Sequence, residues 1–216
     1  MKPGTVSMLI AGLLLTGPVT LAGEFNPVLD IGDKAPKWEN LPGVDGKKHS
    51  LADLKNKSVV VVFFTCNSCP YAVDYEDRIV AFANRHAGKS SRVAVVGINV
   101  NRITEDLLPA MKIKAAEKKF RFPYLFDETQ QIAKDYGAGF TPEFFVLNPM
   151  RNVVYMGAFD DSPAADKVKI RHVENAVSAA LTGKLPVVRE TVPIGCRIRI
   201  ERRRRKRTKE QDASRD

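Results

Sequence analysis

The sequence predicts an α/β fold in which a mixed central sheet is covered by helices on both faces. One observation is a continuous apolar run from Val59 to Thr65, with the length of a strand that is buried on both sides. A second apolar run, Val93 to Ile98, follows it after an intervening stretch with helical periodicity. The third observation is two apolar segments, Glu143 to Leu147 and Val153 to Gly157, joined by a turn-forming sequence. We expect this last pair to be antiparallel, which makes the sheet mixed.

Helices are expected between and after these strands. Apolar residues recur at helical spacing from Cys69 to His86, and a second helix is expected around Pro109 to Lys119. Asp127 is interpreted as the cap of a short helix that ends at Gly137, although it could also be an acid near a site. The last predicted helix starts at Ser162-Pro163, because proline is favoured in the first turn.

The first 22 residues differ from the rest and resemble a secretory signal peptide. A positive start at Lys2 is followed by the apolar run Met8 to Leu15 and by small residues up to Ala22. A membrane anchor is the alternative, but Gly17-Pro18 interrupts a run that is already too short to span a bilayer. We therefore expect a signal peptide at 1–22, a domain at 23–190, and a periplasmic or secreted protein.

The positive charge is concentrated at the C-terminus. The chain carries a formal net charge of +9, and residues 197–216 alone contribute +6. A segment with so much like charge is expected to be disordered, so 191–216 is predicted to be a basic tail. In an exported protein the tail could contact an anionic membrane surface, or it could only improve solubility. We expect no specific nucleic acid partner.

Two cysteines, Cys66 and Cys69, lie where the first buried strand gives way to a helix. A thiol at a helix N-terminus is favoured as thiolate, and a second thiol two residues away can form a disulfide with it. The sequence therefore predicts a dithiol that exchanges with disulfides, with Cys66 as the attacking thiolate and Cys69, one turn into the helix, as the resolving thiol. A structural disulfide is an alternative, but so small a loop adds little stability.

The third cysteine, Cys196, is left without an assigned partner. It could pair with another chain, take part in exchange, or be buried and inert. A metal site is a further alternative for Cys66 and Cys69, but the pair supplies only two of the usual four ligands. No metal or other cofactor is therefore expected.

Several motifs resemble those of secreted thioredoxin-fold proteins of the redoxin class, also called the alkyl hydroperoxide reductase/thiol-specific antioxidant class. The resemblance covers roughly Ile31 to Gly183. It rests on the cysteine pair after the first long strand and on four segments: Ile31 to Pro36, Leu51 to Lys55, Phe140 to Pro142 and Thr191 to Cys196.

The resemblance implies a thioredoxin-like fold and a substrate-docking loop at Thr141-Pro142. In this family the corresponding proline is cis and lies opposite the cysteines, where an extended substrate can bind. Glu143 follows the proline and could move protons near Cys69, or it could be a surface residue at the end of a strand. The implied partners are protein disulfides or dithiols and a protein that exchanges electrons with the pair.

The chain departs from the family patterns at several positions. Thr65 replaces the tryptophan of thioredoxins, and Val60 stands where they place a buried aspartate. Peroxiredoxins carry a threonine three residues before the reactive cysteine, whereas Thr65 is adjacent to Cys66. The sequence thus predicts an exported thiol:disulfide oxidoreductase. A thiol-dependent peroxidase and a non-enzymatic metal-binding or structural protein are the alternatives.

Overall fold

A five-stranded sheet lies at the centre of residues 23–201, the part of the chain that the computed structural model describes. The strands in chain order are β1 (Leu41–Pro42), β2 (Lys48–His49), β3 (Val59–Phe64), β4 (Val93–Asn99), β5 (Tyr124–Phe126), β6 (Phe140–Thr141), β7 (Glu143–Leu147), β8 (Val153–Gly157) and β9 (Cys196–Arg197). The α-helices are α1 (Pro70–Arg85), α2 (Leu108–Glu117), α3 (Gln131–Asp135) and α4 (His172–Leu181).

The central sheet has the strand order β5-β4-β3-β7-β8 and is mixed, as predicted. Strands β3, β4 and β5 are parallel, while β7 runs antiparallel to both β3 and β8. A parallel pair needs a crossover, and α1 supplies it between β3 and β4. The short strands β1 and β2 form a separate hairpin, and β6 pairs with β9 outside the central sheet.

The alternation of side chains along β3 divides the core into two layers. Val59, Val61 and Phe63 pack with residues of α1, α2 and α4, whereas Val60, Val62 and Phe64 pack with α3 and the N-terminal segments. Every residue of β3 is buried, which is why its sequence is apolar without alternation. The prediction of helices on both faces of the sheet is therefore confirmed.

The predicted start of the last helix is wrong by about ten residues. The helix begins at His172, and residues 162–171 form a loop with one short 3₁₀ turn. Arg78 explains the loop, because its guanidinium donates hydrogen bonds to the carbonyls of Ser162 and Pro163. These hydrogen bonds tie the segment to α1 in its loop conformation.

The predicted domain boundary at residue 190 is also wrong. The Thr191 hydroxyl accepts a hydrogen bond from the backbone N–H of Ala158, Cys196 lies in a strand, and Ile198 is buried. The domain therefore extends at least to residue 201. The predicted signal peptide at 1–22 and the rest of the predicted tail, 202–216, lie outside the described residues. Between 23 and 201, no helix is both long and apolar enough to cross a membrane.

Candidate redox site

The pairing of β3 with β7 brings the cysteine loop and the proline loop together. Phe64, the last residue of β3, is opposite Glu143, the first residue of β7. The residues that follow one strand therefore lie beside those that precede the other. This register places Thr141-Pro142 next to Cys66, and the Thr141-Pro142 peptide bond is cis, as the resemblance implied.

Thr141 connects the two thiols of the pair. Its side-chain Oγ1 lies 3.6 Å from the Sγ of Cys66, and its backbone carbonyl accepts a hydrogen bond of 3.0 Å from the Sγ of Cys69. Both cysteines are free thiols, and they belong to one buried cluster. The structure thus brings together four sequence-predicted site residues: Cys66, Cys69, Thr141 and Pro142.

The position of Cys69 differs from the prediction. Cys69 is the N-cap of α1 rather than a residue one turn into the helix, and its Sγ accepts the backbone N–H of Ala72 at 3.4 Å. A hydrogen bond from the Cys66 thiol, followed by those of Cys196 and other donors, lowers the pKa of Cys69 despite its burial. The Thr141 carbonyl opposes this effect, because ionisation removes the proton that it accepts. The helix N-terminus therefore favours Cys69, not Cys66, as the thiolate.

Asp106 is one of three influences that make Cys66 the weaker acid of the pair. Its buried carboxylate accepts the backbone N–H groups of Asn67 and Ser68 at 2.7 and 2.9 Å and the hydroxyl of Ser68 at 2.7 Å. These loop amides are therefore directed away from the sulfur of Cys66. The pKa of Cys66 is raised, first by its hydrogen bond to Cys69, then by burial, and then by the negative charge of Asp106.

No motif in the sequence marks Asp106 as a site residue. It reaches the site because it follows β4, and the carboxyl ends of the parallel strands β3 and β4 lie at the same edge of the sheet. The segment Thr104 to Pro109 reads as an ordinary helix start. Acidic residues are common at that position, so only the strand order could have indicated the role of Asp106.

Cys196 also reaches the site. It packs against Cys66, Cys69 and Ala72, and its strand β9 pairs with β6. Of the alternatives left open for this cysteine, the location therefore favours exchange. Burial, followed by its hydrogen bond to Cys69, raises the pKa of Cys196.

Glu143 is buried, so its interpretation as a surface residue is wrong. Its side chain is 4% exposed, and its Oε2 accepts the backbone N–H groups of Gly139 and Phe140 at 2.8 and 2.9 Å. Burial raises the pKa of Glu143 to about 7, although these two hydrogen bonds oppose the shift. Glu143 therefore fixes the loop that precedes Thr141. Asp127 lies before α3, as predicted, and its Oδ2 accepts the backbone N–H of Ile132 in the first turn, but the N-cap residue of this helix is Gln130.

Glu143→Gln is expected to make the protein less sensitive to pH. The folded state holds the Glu143 proton up to about pH 7, whereas an ordinary glutamate loses it near 4.5. The free energy of unfolding of the wild type should thus fall as the pH rises between these values, by up to about 3 kcal/mol. The glutamine lacks this ionisation and retains an acceptor oxygen. Urea unfolding from pH 4 to 8 measures the difference.

The control for this experiment is Glu143→Ala, which loses the ionisation and the acceptor together. It should be less stable than the glutamine variant at every pH, because the two loop N–H groups lose their partner. Parallel stability curves for the wild type and Glu143→Gln would contradict the proposed ionisation.

Both thiols of the pair are shielded from solvent. Cys66 is 5% exposed and Cys69 is 3% exposed, so a protein substrate cannot reach either sulfur without some movement of the chain. A narrow cleft reaches Cys66 from one side, and it is lined in part by Thr65, Glu76 and Tyr124. Within the described range, no three His, Cys, Asp or Glu side chains are grouped as a metal site.

Comparison with known protein families assigns the chain to one of them. The sequence model described as the AhpC/TSA family matches residues 31–156. The chain belongs to the AhpC/TSA family. The matched range includes Cys66, Cys69 and the Thr141-Pro142 loop but not Cys196, which lies beyond it. The redoxin class suggested by the sequence motifs is thereby confirmed.

Individual relatives agree with this assignment. A putative peroxiredoxin from Mycobacterium tuberculosis is 30% identical over 111 residues, which cover 50% of this chain and 63% of the relative. This chain thus spans less than two-thirds of that protein's length.

Two solved structures show the same architecture. A hypothetical protein from Sinorhizobium meliloti 1021 is 32% identical with a TM-score of 0.74, covering 82% of this chain and 97% of its own. A thiol:disulfide interchange protein of the thioredoxin family from Chlorobium tepidum is 25% identical with a TM-score of 0.52, covering 61% of this chain and 89% of its own. The fold of this AhpC/TSA family member is thioredoxin-like.

Proposed function

We propose that this AhpC/TSA family protein is a thiol:disulfide oxidoreductase that exchanges disulfides with protein substrates through Cys66 and Cys69. The observation that carries the proposal is the contact of both free thiols with Thr141, beside the proline loop. When one of two neighbouring thiols is ionised, the pair can alternate between the dithiol and the disulfide. The similarity to a thiol:disulfide interchange protein supports the same activity.

The geometry supports a division of roles opposite to the one expected from the sequence. The Cys69 thiolate attacks one sulfur of the substrate disulfide, and the other substrate sulfur leaves as a thiolate. Cys66 then loses its proton and attacks the sulfur of Cys69 in the mixed disulfide. The Cys66–Cys69 disulfide forms, and the second substrate sulfur leaves as a thiolate. The reverse sequence oxidises a substrate dithiol, since relative potentials set the direction.

Export is part of this proposal. The apolar N-terminal stretch with its small-residue end supports secretion, and a dithiol of this kind would then work in an oxidising compartment. A partner protein would have to return electrons to the pair or remove them. The basic residues from 202 to 207 support weak contact with an anionic membrane surface.

The reduced protein is expected to reduce insulin disulfides and to end with a Cys66–Cys69 disulfide. Insulin precipitation in the presence of dithiothreitol measures the rate, and peptide mapping of the alkylated protein locates the disulfide. Cys196→Ser is the control, because it retains both members of the proposed pair. A Cys196→Ser protein that forms no disulfide when equilibrated with oxidised glutathione would refute the proposed function.

Peroxide reduction is a second candidate function, and the narrow cleft at Cys66 favours it. Such a cleft admits a small oxidant more readily than a protein, and a curated relative is named a putative peroxiredoxin. Stopped-flow mixing of the reduced protein with hydrogen peroxide separates the two activities. Rapid loss of a thiol at micromolar peroxide, without insulin reduction, would favour the peroxidase.

A further inference from the structure

Strand β9 pairs with the edge of strand β6, where an extended peptide would have to bind to reach the thiols. Its partner β6 ends at Thr141, the residue that contacts both Cys66 and Cys69. Backbone pairing at a strand edge is a common way for proteins to bind extended peptides. In this structure the protein's own residues 196–197 use that edge.

The register of this pairing places a cysteine opposite Thr141. Thr141 is paired with Cys196, and Phe140 is paired with Arg197. A peptide bound at this edge would need its reacting sulfur near Thr141, because the Cys69 sulfur hydrogen-bonds to the Thr141 carbonyl. The chain therefore presents a thiol at the position that a substrate sulfur would occupy.

Gly195 permits this close approach. A Cβ atom at residue 195 would lie 2.3 Å from the carbonyl oxygen of Thr141, a contact that no side chain tolerates. The segment is held further along by the N–H of Ile198, which donates to the carbonyl of Gly139, and by the side chain of Gln130, which donates to the carbonyl of Arg199. Contacts on both sides of Cys196 therefore hold this segment against strand β6, where Cys196 lies opposite Thr141.

Cys196 packs against the buried cluster of Cys66, Cys69 and Ala72 at the start of α1. Cys69, the N-cap residue, accepts the backbone N–H of Ala72 at 3.4 Å. Burial and then Cys69 raise the pKa of Cys196, while the backbone N–H of Tyr71 in the first turn of the helix acts in the opposite direction. Cys69 and Cys196 therefore lie together at the helix N-terminus.

We propose that Cys196 is a third redox thiol that forms a disulfide with Cys69 within the same chain and holds β9 over the docking edge. The proposal rests on the proposed function, because it begins from the Cys66–Cys69 disulfide. The Cys196 thiolate attacks the sulfur of Cys69. The Cys69–Cys196 bond forms, the Cys66–Cys69 bond breaks, and Cys66 leaves as a thiolate that takes up the proton lost by Cys196. Cys196 is oxidised and Cys66 is reduced, so no external oxidant is needed.

The electrostatics of the site favour this order of events. Burial raises the pKa of Cys196, and the neighbouring Cys69 raises it further. Formation of the Cys66–Cys69 disulfide removes the Cys69 charge, which makes Cys196 easier to ionise. The third thiol therefore becomes reactive after the pair has been oxidised, and the Cys69–Cys196 bond then keeps external proteins from the edge.

Three single variants of the full chain test the proposal, each equilibrated with oxidised and reduced glutathione, alkylated and analysed by peptide mapping. Cys66→Ser retains Cys69 and Cys196 and is expected to form an internal Cys69–Cys196 disulfide. Cys69→Ser retains Cys66 and Cys196 and is the matched control, in which no internal disulfide is expected. Cys196→Ser retains the original pair and should form the Cys66–Cys69 disulfide. The wild type should be a mixture of molecules with the Cys66–Cys69 disulfide and molecules with the Cys69–Cys196 disulfide, because both bonds use the sulfur of Cys69.

The outcomes separate this inference from the proposed function. If Cys196→Ser forms its disulfide while Cys66→Ser retains two free thiols, the third-thiol proposal is overturned and the proposed function stands. A second measurement covers the docking edge. Gly195→Ala places a Cβ against Thr141, so β9 should be displaced and the insulin-reduction rate should rise about tenfold. An unchanged rate in a folded Gly195→Ala protein would show that β9 does not cover the edge.

Discussion

In a Cys196→Ser background, Cys69→Ser is expected to abolish insulin reduction, whereas Cys66→Ser is expected to trap the mixed disulfide with the substrate. The reason is the difference in thiolate content between the two sulfurs. Hydrogen bonds from Cys66 and the start of α1 lower the pKa of Cys69 below its ordinary value of 9.0, and the hydrogen bond to Cys69, burial and Asp106 raise that of Cys66. Because each pKa unit changes the thiolate fraction tenfold, the attack rates at neutral pH should differ by at least about 100-fold.

The thiolate content is measured by ultraviolet absorbance as a function of pH, which requires no reagent to reach the buried sulfurs. Both variants are made in a Cys196→Ser background, so that each protein contains one thiol. The protein that keeps Cys69 should titrate at a lower pH than the protein that keeps Cys66, because the N–H of Ala72 still stabilises the Cys69 thiolate, whereas burial and the charge of Asp106 still raise the pKa of Cys66. The opposite order, together with a trapped substrate on Cys66, would restore the assignment made from the sequence.

The sequence was sufficient for the sheet because its strands carry a strong local signal. The apolar run at Val59 to Thr65 and the hairpin around Asn148 to Asn152 need no tertiary information to be recognised. Which of the two cysteines is the attacking thiolate depends on where α1 begins, and a difference of less than one turn decides it. Pro70 is accepted in a first turn wherever α1 begins, so the sequence did not decide whether Cys69 or an earlier residue is the N-cap.

The remaining parts of the site come from contacts between distant segments. Asp106 is 40 residues from Cys66 and Cys196 is 127 residues from Cys69, and each reaches the cysteines only through strand order. Composition misled the prediction for 191–201, because the nearby run of arginines dominates the charge of that segment. Gly195, Cys196 and Ile198 are the residues that attach it to the domain.

Substitution of Asp106 by alanine is expected to cost about 3 kcal/mol in the free energy of unfolding. The carboxylate accepts hydrogen bonds from Asn67, Ser68 and the Asn101 side chain while fully buried, so its removal leaves buried donors without partners. Asp106→Asn keeps an oxygen in place and removes the charge. In that variant the pKa of Cys66 should fall, since the Asp106 charge contributes to its rise.

Urea unfolding measures the first effect, and ultraviolet titration of Cys66 in the Cys69→Ser, Cys196→Ser background measures the second. Glu105→Gln is the matched control, because Glu105 is exposed, adjacent in sequence and contacts Asn67 only through its backbone carbonyl. It should change neither quantity. If Asp106→Asn lowered stability but left the Cys66 titration unchanged, Asp106 would only position the loop. A lowered Cys66 pKa in a stably folded Asp106→Asn protein would show that Asp106 also keeps Cys66 protonated. Cys66 then has the proton that it donates to Cys69.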